Sequence, residues 1–170
     1  MNKLDIKIGD IVFSRGDGWF EKLIRFGTRS DINHVGIVYE IHPDKVVVAE
    51  SLPEGFVLSE YHNNYITDSC EVRRAFKKTS REKEQLTQEI IESKLGRPYD
   101  WMSIIRIALK ILTLGIYKRK VDTEEAMICS EAVARILSRL GYKPVDKLYD
   151  YVTPQDLRIS IPVVIVPLLE

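Results

Sequence analysis

Three side chains of this sequence could together break an acyl bond: a cysteine, a histidine and a carboxylate. Cys129 lies near the start of a run, residues 124–140, in which Ile128, Ala132, Val133, Ile136, Leu137 and Leu140 recur at helical spacing. A sulfur in the first turn or two of a helix faces backbone N–H groups with no partner inside that helix, at the positive end of its dipole. A thiolate is stabilised there, and the same N–H groups can receive an oxyanion. The competing reading is a small buried apolar residue, which is the usual fate of a free cysteine. Cys70 differs. In Ser69-Cys70-Glu71-Val72-Arg73 it shares one strand face with Val72, so packing is its expected role.

There are three histidines. His42 sits in a turn beside Pro43, and His62 lies in a polar stretch with Asn63 and Asn64; both read as solvated loop residues. His34 opens the most apolar strand, His-Val-Gly-Ile-Val-Tyr. A histidine at a strand end is held firmly yet open on one side, which suits a general base. A half-exposed strand histidine without a task is the alternative. Gly36, two residues on, has no side chain, so something bulky can approach that face closely.

Glu50 ends the run Val46-Val47-Val48-Ala49-Glu50. It either marks the strand emerging into water or accepts a hydrogen bond from an imidazole N–H, fixing tautomer and orientation. Strand parity tests this. Residues 34–41 and 45–51 read as a hairpin around His42-Pro43-Asp44. A loop of two or four residues sends His34 and Glu50 to opposite faces. A three-residue loop pairs Ile41 with Lys45 and Gly36 with Glu50, making His34 and Glu50 diagonal neighbours about 7–8 Å apart. An odd loop or a bulge is therefore required.

The elements that must hold these groups follow from pattern. Residues 10–14 form a strand, broken by Gly16-Asp17-Gly18; 19–26 suit one or two helical turns, and 28–33 a loop. Residues 57–58 and 70–74 are weaker strands. Residues 79–95 read as a helix with a Thr79/Glu82 capping box, ended by Gly96 and Pro98. Residues 101–117 form a second helix with one polar stripe, read as a buried helix with one wet edge. A helix lying on a membrane surface is the other reading, with peripheral membrane contact. The third helix, 124–140, carries Glu124 and Glu125 where the dipole favours them and Gly141 as its stop; 163–166 is a last strand. Strands followed by helices give an α+β domain with segregated layers.

The chain has 170 residues, 45% of them hydrophobic, which fits a single domain, 1–170. Lys+Arg and Asp+Glu both number 25, and the absent basic surplus argues against nucleic acid as partner. Two cysteines are no disulfide framework, and the first ten residues hold no apolar signal-peptide core. Residues 101–117 contain Arg106 and Lys110 and are short for a membrane span. A cytoplasmic location is the expectation. No metal-ligand spacing such as Cys-x-x-Cys or His-x-x-x-His occurs, and no Gly-rich phosphate loop precedes a helix, so no cofactor is expected.

Six segments, in this order, resemble a known group: Ile8-Gly9-Asp10-Ile11-Val12-Phe13, His34-Val35-Gly36-Ile37-Val38, Val48-Ala49-Glu50-Ser51, Gly96-Arg97-Pro98-Tyr99-Asp100, Ile128-Cys129-Ser130-Glu131 and Val152-Thr153-Pro154-Gln155-Asp156-Leu157. Together, over roughly residues 8 to 160, they are similar to the YiiX/YebB type of permuted papain-fold hydrolases, relatives of the NlpC-type cell-wall peptidases. In the usual papain-like order the cysteine helix precedes the histidine strand. Here His34 comes about a hundred residues before Cys129, as a circular permutation implies. The resemblance implies an antiparallel sheet packed against helices that include the nucleophile helix. It implies Cys129 as nucleophile, His34 as base and Glu50 as the third polar residue, with Tyr99 near the site in substrate or oxyanion contact.

The resulting expectation is a cysteine peptidase- or amidase-like hydrolase without cofactor. Its substrate would be a small peptide, an amino-acid conjugate or a lipid-like acylated amine. Two alternatives stand beside it: an acyltransferase using the same triad, and a non-catalytic binding module that keeps the fold.

Overall fold

The structure, a computed structural model, describes residues 5–15, 32–100, 128–146, 149 and 152–167. The helices expected over 19–26 and 101–117, and Glu124 and Glu125, lie outside the described residues. Six strands are seen: β1 (Ile11–Ser14), β2 (His34–Ile41), β3 (Lys45–Leu52), β4 (Gly55–His62), β5 (Cys70–Arg74) and β6 (Val163–Val166). Four helices accompany them: α1 (Asn63–Ser69), α2 (Arg81–Glu92), α3 (Cys129–Arg139) and α4 (Pro154–Ser160). The strands form one antiparallel sheet in the order β4-β3-β2-β1-β5-β6. The α+β class expected from the element order is what is found.

Alternation along the central strands divides the core into two layers. Ile11, Phe13, Val35, Ile37 and Ala49 face α3 and pack with its Ala132, Val133, Ile136 and Leu137, with Ile90 and Ile91 of α2 and with Leu157 of α4. Val12, Val38, Val46, Val48, Cys70 and Val72 line the other face, covered by Ile66 of α1, Ile6 and Val166. Burying a side chain of this size stabilises the fold by about 1.5–3 kcal/mol, so α3 is held chiefly by its apolar stripe across β2 and β3.

Local chemistry sets where the helices begin and stop. The cap of α2 is Ser80, whose hydroxyl accepts from Lys83 N–H; this displaces the Thr79/Glu82 box by one residue. Helix α3 ends in a Schellman arrangement. Tyr142 N–H reaches Leu137 O, Gly141 N–H reaches Ser138 O, and Gly141 takes the positive φ this needs. Helices α1 and α4 were not expected. The first has one buried residue, Ile66, and the second is seven residues long, opened by a Thr153/Asp156 capping box.

Buried charges tie the ends of the sheet together. Arg74 of β5 donates through Nε and Nη2 to both carboxylate oxygens of Asp10, each at 2.8 Å. Glu71 accepts from Arg73 and Arg158, and Arg73 Nη1 also reaches the carbonyls of Arg158 and Ile161. These bonds clamp α4 and the segment entering β6 against β5. A bidentate guanidinium–carboxylate pair suits such a clamp because its geometry is directional.

Candidate active site

The site begins with a register. Gly36 pairs with Glu50, as parity required, but the expected Ile41–Lys45 pair is replaced by Ile41–Val46. His42 N–H bonds Lys45 O at 2.9 Å, so the turn is the two-residue Pro43–Asp44 and not the three-residue loop expected. Parity is restored inside the hairpin. Val38 pairs with Val48 but Glu40 with Val47, leaving Tyr39 as a bulge. Helix α2 holds that bulge in place. Gln88 Nε2 donates to Tyr39 O, and the Tyr39 hydroxyl donates to Glu92 at 2.7 Å.

His34 and Glu50 therefore share a face, and His34 Nε2 lies 2.5 Å from Glu50 Oε2. Gly36 makes this approach feasible. A Cβ at position 36 would sit 2.4 Å from Val48 Cγ1 and 3.3 Å from Glu50 Cβ. The close approach expected at Gly36 is made by the neighbouring strand.

His34 is the first residue of β2 and stands at the end of the sheet, with 17% of its side chain exposed. From there the ring is shared between the layers: it bonds Glu50 on one side and lies within electrostatic reach of Cys129 on the other. With Nε2 given to Glu50, Nδ1 is the nitrogen left for the sulfur. Burial opposes a charge on the imidazole. The negative charge and hydrogen bond of Cys129, joined by those of Glu50, outweigh burial and push it up to about 10.

Glu50 is 2% exposed. Burial works against its ionisation, but hydrogen bonds from His34, Ser59 and Tyr61 hold its carboxyl below the usual range. An ionised carboxylate only accepts, so Nε2 must carry the proton between His34 and Glu50. Tyr61 of β4 donates its hydroxyl to Glu50 Oε1 at 2.6 Å, so both carboxylate oxygens are engaged. Neither Ser59 nor Tyr61 was singled out in the sequence. Their signal, alternation along 57–61 next to the Glu50 strand, is weak because Glu60 and Tyr61 interrupt an apolar pattern.

Cys129 is the first residue of α3, preceded by Ile128 as an N-cap that offers no side-chain hydrogen bond. The first helical bond of this turn runs from Ala132 N–H to Ile128 O. The N–H groups of residues 129–131 thus have no carbonyl one turn back within the helix. Cys129 is 7% exposed and packs at the edge of the core beneath His34. Ser130 anchors this helix start by donating to Val152 O at 2.5 Å. Glu131 and Arg135 form a buried pair at 2.8 Å, one turn apart.

Cys70 keeps its packing role, at 1% exposure among Val12, Val72 and Ile66. It also lines a small hollow over Glu50, with Ser14, His34, Tyr61 and Tyr65. Burial and the Glu50 charge push its thiol up to about 12. His42 pairs loosely with Glu40 at 3.6 Å, and His62 caps the start of α1 at the surface. Neither bonds His34 or Glu50, but His62 ends a strand and is not a loop residue. Tyr99 is half-buried on the stretch after α2. That stretch is stitched to β4 by Phe56 N–H to Arg97 O and Gly96 N–H to Phe56 O. Among the described residues, no helix is long and apolar enough to cross a membrane.

No family model matches the chain, and no curated protein matches it. Among solved structures it is similar to the crystal structure of YiiX from Escherichia coli O157:H7, which is named there as a metalloprotein. The identity is 19%, the TM-score 0.64, and the match covers 93% of this chain and 94% of that one. The chain therefore has a YiiX-like fold.

Proposed function

We propose that this protein is a cysteine hydrolase built on a permuted papain-like fold, cleaving an amide or ester bond of a small peptide, amino-acid conjugate or acylated amine. One observation carries the reading: Cys129 at the first position of α3, close enough to His34 to raise its pKa, with Nε2 of that imidazole held by buried Glu50. The permuted assignment is supported by chain order, with the strands of His34 and Glu50 preceding the Cys129 helix.

In this mechanism the proton of Cys129 passes to His34 Nδ1, and Glu50 keeps the resulting imidazolium in place. The sulfur attacks the substrate carbonyl carbon. The oxyanion forms against the N–H groups at the start of α3. His34 returns its proton to the leaving amine or alcohol, and a thioester remains on Cys129. Water then adds to the thioester with His34 taking its proton, and the tetrahedral intermediate collapses to release the acid and regenerate the thiolate–imidazolium pair. Tyr99 contributes substrate or oxyanion contact.

The name given to YiiX raises a metal as an alternative. Among the described residues, no group of three or more His, Cys, Asp or Glu side chains is placed to hold a metal ion. The donors at the site are also engaged with one another, since Glu50 binds His34 and Tyr61. The described residues do not fit a metal centre, and no step is routed through one.

The test uses p-nitrophenyl acetate with mass analysis of the trapped enzyme. The wild type should release p-nitrophenol and carry one acetyl group on the Cys129 peptide. Cys129→Ala should lose at least about 10⁴-fold in turnover, and His34→Ala about 10²–10⁴-fold. Acetylation elsewhere, or a rate unchanged by both substitutions, would leave a binding module as the better reading.

A further inference from the structure

We propose that Tyr61 is a positioning residue of this site, locking the carboxylate of Glu50 so that its other oxygen is aimed at His34. The proposal rests on the cysteine-hydrolase reading and adds a fourth member that acts through the third.

The geometry runs as a chain of contacts through the sheet. Tyr65 of α1 stacks on Tyr61 of β4, with ring centroids 5.1 Å apart and planes within 15°. The Tyr61 hydroxyl donates to Glu50 Oε1 at 2.6 Å, and Glu50 Oε2 meets His34 Nε2 at 2.5 Å. His34 then contacts Cys129. A glutamate carboxylate turns readily about its last torsion, which has a broad profile. With a donor on only one oxygen, that rotation would spoil the line to Nε2. With Tyr61 on Oε1 and His34 on Oε2, both oxygens are engaged and that rotation is opposed.

The direction of the proton is also fixed. Burial and the neighbouring carboxylate raise the Tyr61 phenol well above its ordinary range, so it remains a donor wherever the enzyme would work. Glu50 is ionised and cannot return the bond. The stacked ring sets where the hydroxyl sits, and α1, the short helix on the face away from α3, sets where the ring sits. This gives α1 a task in the chemistry although it touches none of the reacting atoms.

The experiment compares wild type with Tyr61→Phe, which keeps the ring over Tyr65 and removes only the O–H. Iodoacetamide labels the intact protein from pH 4 to pH 9, and peptide mass analysis reads Cys129 and Cys70 separately. Loss of a hydrogen bond to a charged group should slow Cys129 labelling at pH 7 about tenfold. The acid limb of its pH profile should move up by about one unit, because a carboxylate free to turn supports the imidazolium less. Ser59→Ala should shift the limb the same way by a smaller amount, which keeps the test open if Tyr61→Phe folds poorly. An acid limb that stays in place in both variants, with wild-type Cys129 reacting fast, overturns the role of Tyr61 alone. A wild-type Cys129 no faster than a free thiol overturns this role together with the hydrolase reading.

Discussion

The two cysteines of this chain are both buried, at 7% for Cys129 and 1% for Cys70, and both lie close to the same His34–Glu50 pair. They sit on opposite layers of one sheet. Cys129 meets the positive member of the pair, at a helix start whose dipole points the same way. Cys70 meets the negative member from the first residue of β5, and that charge adds to burial in keeping its proton on. Burial is common to both, so it does not decide which sulfur could act. The sign of the neighbouring charge does.

The strongest way to break this contrast is to read the two sulfurs side by side. A thiol at about 12 is ionised to roughly one part in 10⁴ at pH 8, so iodoacetamide should leave Cys70 essentially unlabelled while Cys129 is consumed. Cys70→Ala should keep p-nitrophenyl acetate turnover within about twofold, since it removes the sulfur without burying a new polar group. Labelling of Cys70 at a rate comparable to Cys129 would remove the distinction.

A smaller effect sharpens the electrostatic half of the argument. The imidazole of His34 is raised to about 10, and of the groups that raise it Cys129 stands first. In Cys129→Ala that contribution disappears while Glu50 remains, so His34 should titrate at lower pH. Both forms can be followed by imidazole NMR shifts. The wild-type ring should be protonated across neutral pH and lose its proton only as pH rises toward 10. A titration point that ignores the substitution would mean that sulfur and ring are not coupled.

The smallest expected effect concerns the fit between β2 and β3. Gly36→Ala places a methyl group against Val48 and Glu50. Chemical denaturation should show a loss of about 1–3 kcal/mol, as for overpacking elsewhere. Cys129 labelling should slow alongside, because the clash with Val48 and the Ala49 carbonyl pushes on the strand that carries Glu50. Full stability would show that the strands separate more easily than their side chains indicate.

Sequence alternation showed what a shared face for His34 and Glu50 would require, an odd loop or a bulge, yet it could not say which. A three-residue loop and a two-residue turn plus a bulge have the same parity, and parity is all that a period of two records. The bulge at Tyr39 is set by its tertiary bonds to Gln88 and Glu92, which no local pattern contains. The same limit hid Tyr61. Its strand reads as two weak positions, 57 and 58, because its outward residues are charged or polar and its partner Glu50 is eleven residues away. Helix α1 has too few buried residues to show a period, whereas α3 buries nine residues in a row and its apolar stripe was plain. The cap of α2 moved by one residue because Thr79 and Ser80 are both competent caps, and only the packed helix chooses.

The placement of β1 in the interior of the sheet, between β2 and β5, bears on how the molecule assembles. Strands β1 and β5 are neighbours in the sheet but distant in the chain, and the sulfur arrives on a segment about a hundred residues beyond the ring it must meet. Contacts of such long range are slow to close. An intermediate in which β1, β2 and β3 have paired while α3 is still undocked holds the His34–Glu50 pair with nothing to activate. The candidate site is thereby completed only at a late docking event, when the helix that carries Cys129 settles across β2 and β3.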